Sequence, residues 1–174
     1  ANSYPKEKLP TLIVMPRSLL FNWRSEVEKF APQITTYTYY GSSRDIVEAR
    51  KHNLIFTTYA LMRNDIESFQ EEEFFYVILD ESQNIKNLQA QTTKAAMLLN
   101  GQHRLALSGT PIENNLGELY SLFRFLNPSM FGPVHQFSEN YLAPIQKDND
   151  KAAIMQLRKK IFPFILRRLK KDVL

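Results

Sequence analysis

Cysteine is absent from the 174 residues, which excludes disulfides and thiolate metal sites and agrees with a reducing compartment. Histidine is scarce. His52, His103 and His135 are the three present, none at a metal-ligand spacing, so a zinc site is not expected. No run of eighteen apolar residues occurs, and a transmembrane helix is not expected. The opening stretch ANSYPKEKLP has no apolar signal core, so secretion is not expected either. Glycine is sparse, at Gly41, Gly101, Gly109, Gly117 and Gly132, and none of the five stands in a G-x-x-x-x-G-K-[ST] phosphate loop. No internal repeat or low-complexity tract is present.

What remains is an ordinary globular composition. Apolar residues make up 44% and charged residues 23%, enough to bury a core at single-domain length. The net charge of +4 permits a nucleic-acid partner without demanding one. Its distribution is uneven. Asp65, Glu67, Glu71, Glu72 and Glu73 form an acidic stretch, and Arg158, Lys159, Lys160, Arg167, Arg168, Lys170 and Lys171 a basic one. Either is compatible with a solvated face.

Five segments carry strand character: Thr11–Met15, Ile34–Tyr40, Asn53–Thr58, Phe75–Asp80 and Arg104–Ser108. Most are continuously apolar or β-branched, as strands covered on both faces are. The second, ITTYTYY, alternates, and its threonines suggest an edge or a half-exposed position. Apolar steps of three and four residues predict helices over Ser18–Phe30, Tyr59–Phe69, Gln89–Leu99, Leu116–Leu126 and about Lys151–Lys160. The stretch 129–150, with its prolines and QKDNDK, reads as irregular. Strands alternating with helices predict an α/β fold with a mainly parallel sheet. Ligands of such sheets sit beyond the carboxyl ends of the strands. That rule selects Pro16-Arg17-Ser18, Thr57-Thr58-Tyr59, Asp80-Glu81 and Ser108-Gly109-Thr110.

VILDESQNIKN, from Val77, runs an apolar strand into two carboxylates. Charge at a strand end is tolerable beside a cation and solvent, and costly otherwise. An aspartate that holds Mg²⁺ through its water shell, next to a glutamate that orients an attacking water, suits nucleotide hydrolysis. A strand ending in an ordinary acidic loop is the alternative. Gln83 and the LALSGTPIENN segment add hydroxyls and a close backbone approach, although Gly and Thr also suit a plain turn. Trp23 lies on the apolar helical face with Leu20 and Val27, where core packing is expected in preference to base stacking. Asn114 and Asn115 suit the N-cap of the following helix.

VILDESQNIKN followed by RLALSGTPIENNLGELYSLFRFLNP resembles the Swi/Snf family of helicase-like ATPases in helicase superfamily two. Upstream, LIVMPRSLLFNWRSEVEKFAP resembles the family's motif Ia and NLIFTTYALMRND its motif Ib; downstream, PFILRRLKKDV resembles the exit from the first lobe. The likeness runs from about Leu9 to Val173, and DESQNIKN, ENNLGELY and FRFLNP are closest to bacterial members.

The resemblance implies an α/β RecA-like lobe over 1–128, carrying motifs Ia to III, and an extension over 129–174 leading toward a second lobe. DESQ takes the place of the Walker B motif, with Ser82 where alanine or glycine is more usual. Asp80 then holds Mg²⁺ through water, Glu81 is the catalytic carboxylate and Gln83 lies near the γ-phosphate. Ser108, Gly109 and Thr110 match motif III, which couples hydrolysis to DNA contact. Arg17, Ser18, Thr57, Thr58 and Tyr59 fall where the family touches the DNA backbone. Asn114 falls near DNA as well, and Lys86 is open between a phosphate contact and plain exposure.

ATP and Mg²⁺ are the implied ligands, with double-stranded DNA and a DNA-bound protein to be remodelled as partners. The implied location is the bacterial cytoplasm, at the nucleoid. The missing phosphate loop implies a piece of a longer protein, inactive alone as an ATPase. In the family the phosphate-loop strand lies next to the motif III strand. Its lack predicts two unpaired inner edges, and so a rearranged sheet or an intermolecular contact at that gap. A degenerate helicase-like scaffold that grips nucleic acid or a partner is the rival reading, and the intact DE pair weighs against it. An RNA helicase is disfavoured by the wording of the GTPIENNLGELYSLFRFLNP stretch.

Overall fold

The computed structural model describes residues 8–109 and 116–166. The chain divides into two compact units, 1–130 and 131–174.

The first unit is an α/β layer structure. Its strands are β1 (Thr11–Met15), β2 (Thr36–Thr38), β3 (Leu54–Thr58), β4 (Glu73–Leu79) and β5 (Asn100–Ala106). They form one sheet in the order β2-β3-β1-β4-β5, and every pairing is parallel. Central β1 and its neighbour β3 bury four of their five residues, which explains their unbroken apolar and β-branched sequence. Short β2 is only half-buried, the edge that its alternation predicts.

Side-chain alternation splits the core between the two faces of the sheet. Ile13, Met15 and Phe56 lie on one face under α1 (Leu20–Phe30), which contributes Leu20, Trp23 and Val27. Leu12, Val14, Ile55, Val77 and Leu79 lie on the other. There they meet α2 (Ile46–Ala49), α3 (Tyr59–Asn64), α4 (Ile66–Gln70) and α5 (Gln91–Leu98), through Ala49, Met62, Phe69, Ala95 and Ala96. Full burial of each large side chain contributes roughly 1.5–3 kcal/mol. Phe125 of α6 (Leu116–Leu126) joins the same cluster.

Several boundaries depart from the sequence reading. The helix expected over Tyr59–Phe69 breaks at Asp65, whose carboxylate accepts from Tyr39 Oη at 2.7 Å and Arg44 Nε at 2.6 Å. Apolar periodicity does not register that polar anchor. β5 starts at Asn100, directly after the α5 C-cap Leu99, rather than at Arg104. Here Gly101 lies so close to Val77 that an added Cβ would approach its Cγ2 to 2.7 Å, so glycine permits the early start.

Among the described residues the expected gap inside the sheet is absent. β4 and β5 pair directly, from Glu73↔Asn100 to Leu79↔Ala106, and the ladder continues through Leu107 N–H to Leu79 O at 2.8 Å. A strand placed beside β5 would join at the sheet margin and separate no inner strands. The direct β4–β5 pairing corrects the expected pair of unpaired inner edges and the internal rearrangement, and β5 itself stands at the sheet margin.

The second unit corrects another expectation, because the stretch read as irregular is largely helical. It holds α7 (Val134–Phe137), a π-helical turn (Ser138–Leu142), α8 (Ala143–Asp148) and α9 (Lys151–Ile161). Pro133 immediately precedes α7 and Pro144 sits in the first turn of α8, positions where a missing N–H costs nothing. The rings of Phe131, Phe137 and Tyr141 cluster at 5.1–5.9 Å. Asp150 caps α9 by accepting from the N–H groups of Ala152 and Ala153. Among the described residues no helix is long and apolar enough to cross a membrane.

Candidate functional site

From β1 the chain runs to one side of the sheet, to β2 and β3, and later to the other, to β4 and β5. The direction changes between β1 and β4, so a crevice is expected beyond their carboxyl ends. Two predicted segments meet there: Pro16-Arg17-Ser18 after β1 and Asp80-Glu81 after β4.

Asp80 is tied down on every side. Its N–H donates to Val14 O at 2.8 Å, an extension of the β1–β4 ladder. Oδ1 accepts the Glu81 N–H at 2.8 Å, and Oδ2 accepts the Trp23 Nε1–H at 2.7 Å. Its carbonyl accepts the Tyr59 hydroxyl at 2.6 Å. Glu81 sits in the left-handed region at φ 50°, which a residue without glycine's freedom adopts only at a cost. This local inversion turns the chain sharply at the end of β4 and places the two carboxylates on successive residues in unlike settings.

From Glu81 a polar chain leads to β5. Gln83 Nε2 donates to Glu81 Oε2, and Gln83 Oε1 accepts from Ser108 Oγ at 3.2 Å. The Gln83 amide, with one donor side and one acceptor side, thus links the ends of β4 and β5. The backbone supports this, since Ser82 N–H donates to Leu107 O at 2.8 Å. Asp80, Glu81, Gln83 and Ser108 are therefore brought together. Gly109 follows at an exposed position, while Thr110 and Asn114 lie outside the described residues.

The residues predicted at the DNA backbone separate into two groups. Arg17 and Ser18 are exposed, and the Arg17 guanidinium lies 5.5 Å from the Tyr40 ring centre. Arg17, Ser18, Phe21, Arg24 and Tyr40 line a groove of about 630 Å³. Lys86 is exposed as well. The side chains of Thr57, Thr58 and Tyr59 are buried. Thr57 Oγ1 donates to Tyr39 O at 3.1 Å, Thr58 Oγ1 caps α3 by accepting the Leu61 N–H, and Tyr59 reaches Asp80. Burial foremost, then the charges of Asp80 and Glu81, pushes the Tyr59 phenol far above its ordinary value.

Trp23 both meets and exceeds its sequence reading. Its ring packs against the Phe56 side of the core, while its N–H goes to Asp80. A half-buried indole N–H requires a partner, which was a legible signal; the identity of that partner was not. Arg104, a member of a predicted strand, has a structural task. It donates to Leu99 O at 2.7 Å and Phe125 O at 3.1 Å, where the ends of α5 and α6 leave carbonyls unpaired.

The donor set fits Mg²⁺ held through water. Among the described residues no three His, Cys, Asp or Glu side chains gather as a metal cluster, and Mg²⁺ with phosphate and water ligands needs no such cage. Each Asp80 oxygen has accepted one protein hydrogen bond and keeps a lone-pair direction for metal-bound water.

A sequence profile described as the SNF2-related domain matches residues 2–174. An "Uncharacterized ATP-dependent helicase MG018" from Mycoplasma genitalium is 41% identical over 172 residues, covering 97% of this chain and 16% of the relative. The "TATA-binding protein-associated factor mot1" of Schizosaccharomyces pombe is 37% identical over 181 residues, covering 95% of this chain and 9% of its own length. Among solved structures, the Sulfolobus solfataricus SWI2/SNF2 ATPase core in complex with dsDNA is 39% identical at a TM-score of 0.88, covering 97% of this chain and 35% of that one. The chain thus spans less than a fifth of these two curated relatives. Its parallel sheet, strand-end carboxylates and extended similarity agree: the chain belongs to the SNF2-related domain family, with the fold of the first, RecA-like lobe of a Swi/Snf-type ATPase core.

Proposed function

We propose that the protein to which this chain belongs is an ATP-dependent translocase on double-stranded DNA that remodels or displaces a DNA-bound protein. The observation that carries this reading is the connected polar line Asp80–Glu81–Gln83–Ser108 at the strand-reversal crevice. A bound Mg²⁺ would supply neutralisation of the phosphate charge. Asp80 would hold it through water. Glu81 orients and polarises the attacking water, and Gln83 passes the state of that carboxylate to Ser108, Gly109 and Thr110. Arg17, Ser18, Lys86 and Asn114 grip the DNA backbone, a contact that confers salt-dependent, sequence-tolerant affinity. Thr57, Thr58 and Tyr59 serve that grip from inside, by fixing the loop after β3.

The similarity to a dsDNA-bound core and to a factor named for TATA-binding protein supports the choice of partners. The bacterial relative supports a nucleoid-associated cytoplasmic protein. The 174 residues contain no phosphate loop, and alone they are expected to turn over no ATP.

The test is ATP hydrolysis by the full-length gene product with and without duplex DNA, beside Glu81→Gln. DNA-stimulated turnover that falls by about 100-fold or more in the variant is expected. Salt-sensitive DNA binding without hydrolysis would instead identify a scaffold. Turnover by the 174-residue chain that vanishes in Glu81→Gln would refute its inactivity alone.

A further inference from the structure

Trp23 and Asp80 are 57 residues apart in sequence, yet the indole Nε1–H donates to Asp80 Oδ2 at 2.7 Å. That length is at the short end of charge-assisted N–H···O bonds. The second oxygen, Oδ1, is held by the Glu81 N–H. One donor on each oxygen, supplied by different elements, fixes the rotation of the carboxylate plane. The packing of Trp23 does not account for this bond. Its ring centre lies 6.4 Å from that of Phe56, beside a cluster containing Leu20 and Met15, and an all-carbon bicyclic ring would fill the same space. The N–H therefore adds something that the hydrophobic contacts do not need.

We propose that Trp23 is a positioning residue for the divalent-cation site: its indole N–H, with the Glu81 amide, holds the Asp80 carboxylate in the orientation that receives the cation's water shell. This rests on the nucleotide site proposed above. Groups that orient a metal-site carboxylate typically change metal affinity by 10–100-fold when removed. Helix α1, which carries Trp23, thereby does more than cover one face of the sheet.

Two measurements test it. Trp23 is the sole tryptophan of the chain, so its indole N–H gives a single resonance in a ¹⁵N-labelled sample. A downfield, slowly exchanging signal is expected, moving upfield and exchanging faster in Asp80→Ala. A signal unchanged in that variant overturns the proposal.

In the full-length protein, Trp23 is replaced by benzothienylalanine, which keeps the bicyclic shape and lacks the donor, and separately by Phe. Both are expected to raise the Mg²⁺ half-saturation of DNA-stimulated hydrolysis by about 10-fold. Nucleotide affinity measured without Mg²⁺ should stay at the parental value. Parental Mg²⁺ dependence in the benzothienyl variant overturns the positioning role and leaves the nucleotide site standing. No hydrolysis by the unsubstituted protein overturns the functional reading, and this proposal with it.

Discussion

Replacing Tyr59 by Phe deletes one oxygen from the interior of the first unit. Tyr59 is 6% exposed, and its hydroxyl is 2.6 Å from the carbonyl oxygen of Asp80. The ring remains, so apolar burial is nearly unchanged. Two losses remain: the net value of a neutral hydrogen bond, roughly 0.5–1.5 kcal/mol, and the cost of leaving a partly buried carbonyl without a protein donor. We expect a destabilisation of about 1–2 kcal/mol. In a chain of this size each kcal/mol corresponds to about 2–4 °C, so the thermal midpoint should fall by about 4 °C. Urea unfolding should show a lower midpoint at constant slope, since the exposed surface is the same.

A second readout follows from the environment of the phenol. Its raised folded-state pKa means that the protonated form is favoured by folding, so this stabilisation is complete below the ordinary tyrosine value, near pH ~10, and is lost as pH rises beyond it. Of the eight tyrosines, Tyr59 should ionise only on unfolding in a spectrophotometric titration. The variant should match the parent in the tyrosinate absorbance gained on titrating the folded protein and show one fewer ionising group once unfolded. An unchanged thermal midpoint, or a Tyr59 that titrates normally in the folded protein, would refute the hydrogen-bond argument.

Other perturbations follow from the same geometry. Ser121 is fully buried and donates to the Ile85 carbonyl, tying α6 to the turn after Glu81; Ser121→Ala should cost about 1–2 kcal/mol, read from the urea midpoint at constant slope. The Arg44 guanidinium foremost, assisted by the Tyr39 hydroxyl, holds Asp65 below the usual carboxylate range. Stability from Asp65 should therefore be present at neutral pH and fade as pH falls below about 4, with a shallower acid limb in Asp65→Asn. Burial, followed by Asp65, pushes Tyr39 up to about 12; its contribution should hold below about pH 10 and be lost as pH rises toward 12, which Tyr39→Phe should abolish.

The α/β class, β1 at Thr11–Met15 and α6 at Leu116–Leu126 were legible in the sequence because each rests on local periodicity. The position of Asp80-Glu81 at a strand end was legible for the same reason, and the family followed from the wording of the motifs around it. Local pattern was silent wherever a partner lies far along the chain. Asp65 interrupts a helical stripe because Tyr39 and Arg44 reach it from over twenty residues away. The run 134–148 looked irregular because its prolines stand at helix starts, and its aromatic cluster forms only when the turns pack together. Whether β4 and β5 adjoin, and whether Trp23 and Tyr59 meet Asp80, depends on the strand order β2-β3-β1-β4-β5. A strand's sequence records which faces are buried but not which strand lies beside it. Hydrogen-bond partners across the strand ends are set by that order, so they become visible only once the sheet is assembled.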